Sequence, residues 1–200
     1  MQMILWVILV LTNVITSPKQ HSTTNETWVV SSASTLKVDG KTNINNFSCM
    51  VASYGKSTDQ LVCEKSIAGC KVTSHLTIAI ALFDCHNRMM TNDLQKTLKS
   101  QQFPEMVIGF KKFSALPSTL NKGMIFSGKA DIVLAGVTRS YDIKFTTLAN
   151  TSSELELLGK KTLLFTDFGL TPPSKLGGTI KVKNELDVEF KLSLRKAANG

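Results

Sequence analysis

Along most of this chain apolar and polar residues alternate one by one, the period of a strand with one buried face. After Val72, the residues Leu76, Ile78, Ile80 and Leu82 share a face, and Met106, Ile108 and Phe110 alternate with Val107, Gly109 and Lys111. Between these two runs the period changes. Thr91 can cap a short helix, Asp93 suits its positive end, and Leu94 and Leu98 sit four apart on one side. Pro104 stops the helical segment and opens the next strand. Every other strong signal is a strand, so this helix is expected to cover an open end of a β fold.

The remaining strands follow in order. Trp28-Val29-Val30 begins the fold, residues 34–38 form a strand, and Asp39-Gly40 marks a turn. Residues 43–52 form a second segment anchored by Ile44 and Phe47, and residues 53–69 hold a short hairpin. Met124, Phe126, Ala130, Ile132 and Leu134 then share a face against Ser127, Lys129 and Asp131, and Gly136 turns the chain. Tyr141, Ile143 and Phe145 alternate with Asp142, Lys144 and Thr146. Leu155 and Leu157 alternate with Glu154 and Glu156 before a turn at Gly159. Residues 161–170 read as a strand, Thr171-Pro172-Pro173 as a rigid connection, and residues 179–194 as a last hairpin around Asn184. Its second arm puts Leu186, Val188, Phe190, Leu192 and Leu194 on one face. Eight or nine antiparallel strands with one greasy face each predict an all-β barrel or sandwich. A barrel of about eight strands is either filled by its own side chains or holds one small ligand, and periodicity does not separate these cases.

Composition adds little to the fold and something to the setting. The 200 residues suit one domain, and 42% hydrophobic content suffices for a core. The net charge of +8 is spread along the chain, without a run of five like charges or a basic-aromatic stripe, which argues against nucleic acid. It leaves room for transient contact with an anionic membrane surface. Residues 3–11 are an uncharged apolar run, too short to span a bilayer and suited to a signal-peptide core, with a cut near Ser17. The expected organisation is a signal peptide (1–17), a leader (18–27), the barrel (28–196) and a tail (197–200). Four cysteines in an exported chain suggest two disulfides, for which three connectivities exist. Cys63–Cys70 is favoured as a clip across a turn containing Gly69, leaving Cys49–Cys85 to tie two strand ends.

Four segments, in order and spacing, give the chain a family likeness. They are Phe83-Asp84-Cys85-His86-Asn87; Leu94 through Phe103-Pro104 to Phe110; Leu134-Ala135-Gly136-Val137-Thr138; and Thr166-Asp167-Phe168-Gly169-Leu170. Over roughly residues 28–195 the chain resembles the YceI-like family of exported polyisoprenoid-binding proteins. The resemblance implies an antiparallel lipocalin-like barrel of about eight strands with one short capping helix. It also implies a bound isoprenoid, isoprenoid quinone or other lipid. The family's Arg and His before the helix are absent from Met90-Thr91-Asn92-Asp93-Leu94, and Leu164 or Phe165 stands where it has an Arg before D-F-G. A particular head group is therefore not implied.

The expected lumen is lined by Leu76, Ile78, Ile80 and Leu82 from one strand and Met106, Ile108 and Phe110 from the next. Met124, Phe126, Ile132 and Leu134 follow, then Tyr141, Ile143 and Phe145, with Phe168, Val188 and Phe190 completing the wall. Asn87 and Arg88 are the candidates to orient a head group. Enzyme chemistry has no positive sign. His86 neighbours Cys85, but adjacent strand residues point to opposite faces. Asp84 and Asn87 suit turn backbone better. The chain carries no H-E-x-x-H, no P-loop and no dinucleotide fingerprint, and no zinc-ribbon spacing. No metal or cofactor is expected apart from the lipid ligand. The reading is an exported, periplasmic or extracellular binder of a long apolar molecule. The alternative is a packed-core barrel acting as an interaction or structural module. Neither oligomeric state nor ligand identity follows from the sequence.

Overall fold

A computed structural model describes residues 25–56 and 58–197. The expected signal peptide, most of the leader and all but the first residue of the expected tail lie outside the described residues. The strands are β1 (Asn25–Val30), β2 (Thr35–Thr42), β3 (Asn46–Val51), β4 (Gln60–Ser66), β5 (Gly69–Ser74) and β6 (Leu76–Ala79). After the helix α1 (Arg88–Thr97) come β7 (Glu105–Phe113), β8 (Ile125–Leu134), β9 (Val137–Asn150), β10 (Glu154–Leu164), β11 (Ser174–Lys175) and β12 (Ile180–Lys196). All ladders are antiparallel, and β1-β4-β5-β7-β8-β9-β10-β12 forms a ring that closes through β1–β12.

The ring is regular at one end and split at the other. Strand β12 is long enough to serve two partners. Its last residues pair with β1, as in Val30 opposite Leu194, while Val182 to Lys191 pair with β2. The β2–β3 hairpin thus takes over where β1–β4 leaves off, and β3 does not reach β6 by a ladder. One isolated bridge spans that seam: the Met50 and Asp84 backbones exchange hydrogen bonds of 2.8 and 2.9 Å. Beside it runs the Cys49–Cys85 disulfide, and Cys63–Cys70 clips the β4–β5 hairpin, as expected for both pairs. Helix α1 follows at once and covers this end. The loop after it lays Phe103 over the β8–β9 turn, where a Cβ on Gly136 would meet the ring at 2.8 Å. Ala135 and Gly136 have φ of 50° and 79°, the left-handed pair a two-residue hairpin needs.

Several expected elements differ, each for a physical reason. The run from Val72 to Leu82 breaks at His75 into β5 and β6 and ends in a 3-10 turn (Ile80–Leu82), which leaves Leu82 exposed. Met124 lies in the turn before β8 and is also exposed, so neither lines the lumen. The helix starts one turn early because Asn87 is its cap, its Oδ1 accepting from the Met90 N–H at 3.1 Å. Thr91 instead accepts from the Cys85 N–H, at 3.1 Å. Strand β1 begins at Asn25, inside the expected leader.

Two expected turns do not exist. Gly40 lies inside β2 and Gly159 inside β10. A Cβ at Gly40 would sit 2.2 Å from the Phe47 ring, and one at Gly159 would sit 2.6 Å from the Phe145 ring. These glycines make room for a facing aromatic ring instead of bending the chain. The true β2–β3 turn is at residues 43–45, which leaves Ile44 exposed and not an anchor. Residues 161–170 run as strand only to Leu164 and then form a 3-10 turn (Phe165–Phe168). The last hairpin is one strand: β12 passes Asn184 with a register irregularity between Val182 and Leu186. The chain reverses earlier, between β11 and β12, where Leu176, Gly177 and Gly178 all have positive φ.

The core occupies the ring. Phe110, Phe113, Phe126 and Phe145 meet with ring centroids 5.3–5.8 Å apart. Phe126 and Phe145 stack and the other pairs are tilted or edge-on, contacts that add to the stability their buried area gives. Trp28, Leu61, Ile80 and Ile132 fill the remainder.

Candidate functional site

The expected lumen residues are brought together, but they fill the space they enclose. Leu76, Ile78, Ile80, Met106, Ile108 and Phe110 are buried. So are Phe126, Ile132, Ile143, Phe145, Phe168, Val188 and Phe190. Leu134 and Tyr141 are half-buried at the α1 end. A small, partly open space of about 20 Å³ lies where Leu36 and Val51 of the β2–β3 hairpin meet Leu76, Ile78, Ile108 and Phe190.

An apolar space lies at the split end. A cleft of about 270 Å³ runs between α1, the β2–β3 hairpin and the β11–β12 turn. Its walls are Ile44, Phe47 and Cys49 on the hairpin side; Met89, Met90 and Leu94 on the helix; and Phe165, Pro173, Ile180 and Val182 opposite. The sequence builds it from ordinary strand and helix periods. Ile180 and Val182 point in while Lys181 and Lys183 point out, and Met90 and Leu94 fall four apart on one helical face. The space persists because β3 and β6 do not join there and α1 only bridges the gap.

Polar groups sit at its edge. Thr42, Asn45, Asn87 and Thr97 contribute to the walls. Lys175 reaches across from β11 to Asp93 on α1, its Nζ 2.7 Å from each carboxylate oxygen. This pair ties the helix to the β11–β12 turn over the cleft. Of the two head-group candidates, Asn87 is at the wall with its Oδ1 engaged as the helix cap, and Arg88 is exposed and outside the lining. Asp84 accepts from the His86 N–H at 2.8 Å, the turn role expected of it.

Tyr141 does not face the cleft. Its hydroxyl donates to Asp167 at 2.7 Å, its ring lies 6.3 Å from that of Phe168, and Lys161 stands over it. Burial and the Asp167 carboxylate hold its hydroxyl well above the usual phenol range. The D-F-G segment thus closes the wall, with Phe168 buried and Gly169 in the left-handed conformation at φ 63°. The cleft walls from 42–47 and 173–182 escaped sequence reasoning. They lie on the β2–β3 hairpin and around β11 and the start of β12, and only the fold brings these segments together opposite α1.

No family sequence model matches the chain, and no curated protein matches it by sequence. Solved structures do match in shape. A polyisoprenoid binding domain from Saccharophagus degradans, implicated in plant cell wall breakdown, aligns with TM-score 0.62 and 13% identity, over 85% of this chain and 98% of that one. BcnA of Burkholderia cenocepacia aligns with TM-score 0.55 and 14% identity, over 80% and 95%. A Campylobacter jejuni YCEI protein aligns with TM-score 0.52 and 16% identity, over 69% and 81%. The chain therefore has the YceI-like barrel fold.

Proposed function

We propose that this YceI-like barrel binds a long apolar molecule, an isoprenoid or another lipid, in the cleft between α1 and the β2–β3 hairpin, and does not transform it. The observation that carries the reading is the cleft itself: an apolar space at the helix-covered end, continuous with the core through Cys49 and Phe165. At about 270 Å³ it lies just below the roughly 300–1,000 Å³ of small-molecule sites. It accommodates one segment of a long ligand, and more length requires α1 to swing outward from the seam. Affinity comes from apolar area, at roughly 25 cal/mol per Å² less the cost of ordering the chain. The name of the Saccharophagus domain agrees with an isoprenoid. Two disulfides with no free cysteine among the described residues fit an exported, oxidising setting.

The test is native mass spectrometry of the purified protein, then organic extraction and lipid analysis. A discrete added mass that extracts as an isoprenoid or lipid is expected. Val182→Arg and Met90→Arg place a long cation in the cleft at half-buried positions and should lose that mass while keeping the fold. A clean apo mass after incubation with isoprenoid quinones and fatty acids refutes the proposal, as does ligand retained by both variants. The buried apolar side chains inside the ring would then favour a barrel acting as an interaction or structural module.

A further inference from the structure

Three large apolar side chains from three separate turns surround the open side of the cleft. Ile44 at the β2–β3 turn is 64% exposed, Met89 in the first turn of α1 69%, and Leu176 at the β11–β12 turn 75%. Each sits at a projecting tip with most of its surface in water. The same segments carry Lys41, Arg88, Lys175, Lys181 and Lys183 against the carboxylates Asp84, Asp93 and Glu185. Asp93 is already held by Lys175. Lys41, Arg88, Lys181 and Lys183 are exposed and form no ion pair among the described residues. Apolar tips ringed by free cations are the pattern of a surface that dips into the headgroup layer of an anionic bilayer.

We infer that the α1 end of the barrel docks on an anionic phospholipid membrane, with Ile44, Met89 and Leu176 entering the interface and the lysines and Arg88 meeting phosphate groups. The inference rests on the cleft being the ligand site, because docking this end brings the cleft against the lipid from which an apolar ligand would be drawn. Ile67 is also fully exposed, but it lies on the β4–β5 turn at the opposite end and does not line this cleft. It is the internal control.

The experiment is co-sedimentation of the full-length purified protein with vesicles of phosphatidylcholine alone or mixed with phosphatidylglycerol, at low and physiological salt. Association with the mixed vesicles only, weakening as salt rises, is expected. Leu176→Asp should weaken it about tenfold. The double variant Lys181→Glu/Lys183→Glu should do the same at low salt, and Ile67→Asp should leave it unchanged. None of these positions lines the cleft, so ligand mass measured without vesicles should be retained by all of them. Loss of vesicle binding with ligand retained therefore separates docking from ligand binding. The inference is overturned if the unaltered protein ignores anionic vesicles, binds both vesicle types equally, or loses binding as much through Ile67→Asp as through Leu176→Asp.

Discussion

Replacing Cys49 and Cys85 together by alanine should cost more stability than replacing Cys63 and Cys70, and should loosen the helix that covers the cleft. Chain-entropy arguments scale the effect of a disulfide with the loop it closes. The Cys49–Cys85 bridge spans a sequence separation of 36 and Cys63–Cys70 one of 7. These loops correspond to about 4 and about 2.5 kcal/mol. All four cysteines are at most 5% exposed, so alanine leaves a similar small void at each pair and the difference isolates loop length. Serine would add a buried hydroxyl and confuse the comparison.

At roughly 2–4 °C per kcal/mol for a domain of this size, the two double variants should melt about 3–6 °C apart. The local consequence is sharper. Without the bridge, the seam between β3 and the start of α1 is held by the Met50–Asp84 backbone pair and by packing. Amide exchange in α1 and at Asp84 should then accelerate far more than exchange in β8–β10, whereas loss of Cys63–Cys70 should leave α1 protected. Ligand uptake should be faster and retention weaker, if α1 opens for access. Equal melting points for the two variants, or unchanged exchange in α1 after removal of Cys49–Cys85, would refute the reasoning.

Gly159→Ala should destabilise by about 1–3 kcal/mol, since the new methyl meets a Phe145 ring locked among Phe110, Phe113 and Phe126. Phe145→Leu in the same chain should recover part of the loss, a non-additivity measurable by denaturant titration. Gly40→Ala should cost less, because Phe47 is half-buried beside the cleft and its ring can turn aside. Tyr54 and Tyr141 should both resist ionisation, through burial first and then the hydrogen bonds to Asp59 and Asp167. Unfolded tyrosine ionises near pH 10 while both folded hydroxyls keep their protons to higher pH, so stability is full below about pH 10 and falls above it. A pH series of unfolding with Tyr54→Phe and Tyr141→Phe, followed by tyrosinate absorbance, should show a shallower alkaline decline in each variant.

The alternation of apolar residues determined that this chain is an antiparallel all-β fold with one covering helix, and the family likeness, not the alternation, pointed to a barrel over a sandwich. It placed Ile78, Ile108, Phe126, Phe145 and Phe190 inside, because a strand's two faces are fixed by parity along the chain alone. The cysteine spacing around Gly69 likewise pointed to the observed pairing. The glycines show the limit. Gly40, Gly136 and Gly159 look alike in sequence, yet one turns the chain and two admit a ring from another strand. Only the partner strand distinguishes them. Asn184 misled in the same way, because a register irregularity in β12 resembles a turn until its neighbours β2 and β10 are known. The cleft was decided wholly by tertiary structure. It exists because β12 changes partner from β1 to β2 and leaves β3 short of β6, and its walls are turns and strand ends that no period connects. Whether a barrel is open or filled depends on how rings from different strands meet, and the sequence records those rings one at a time.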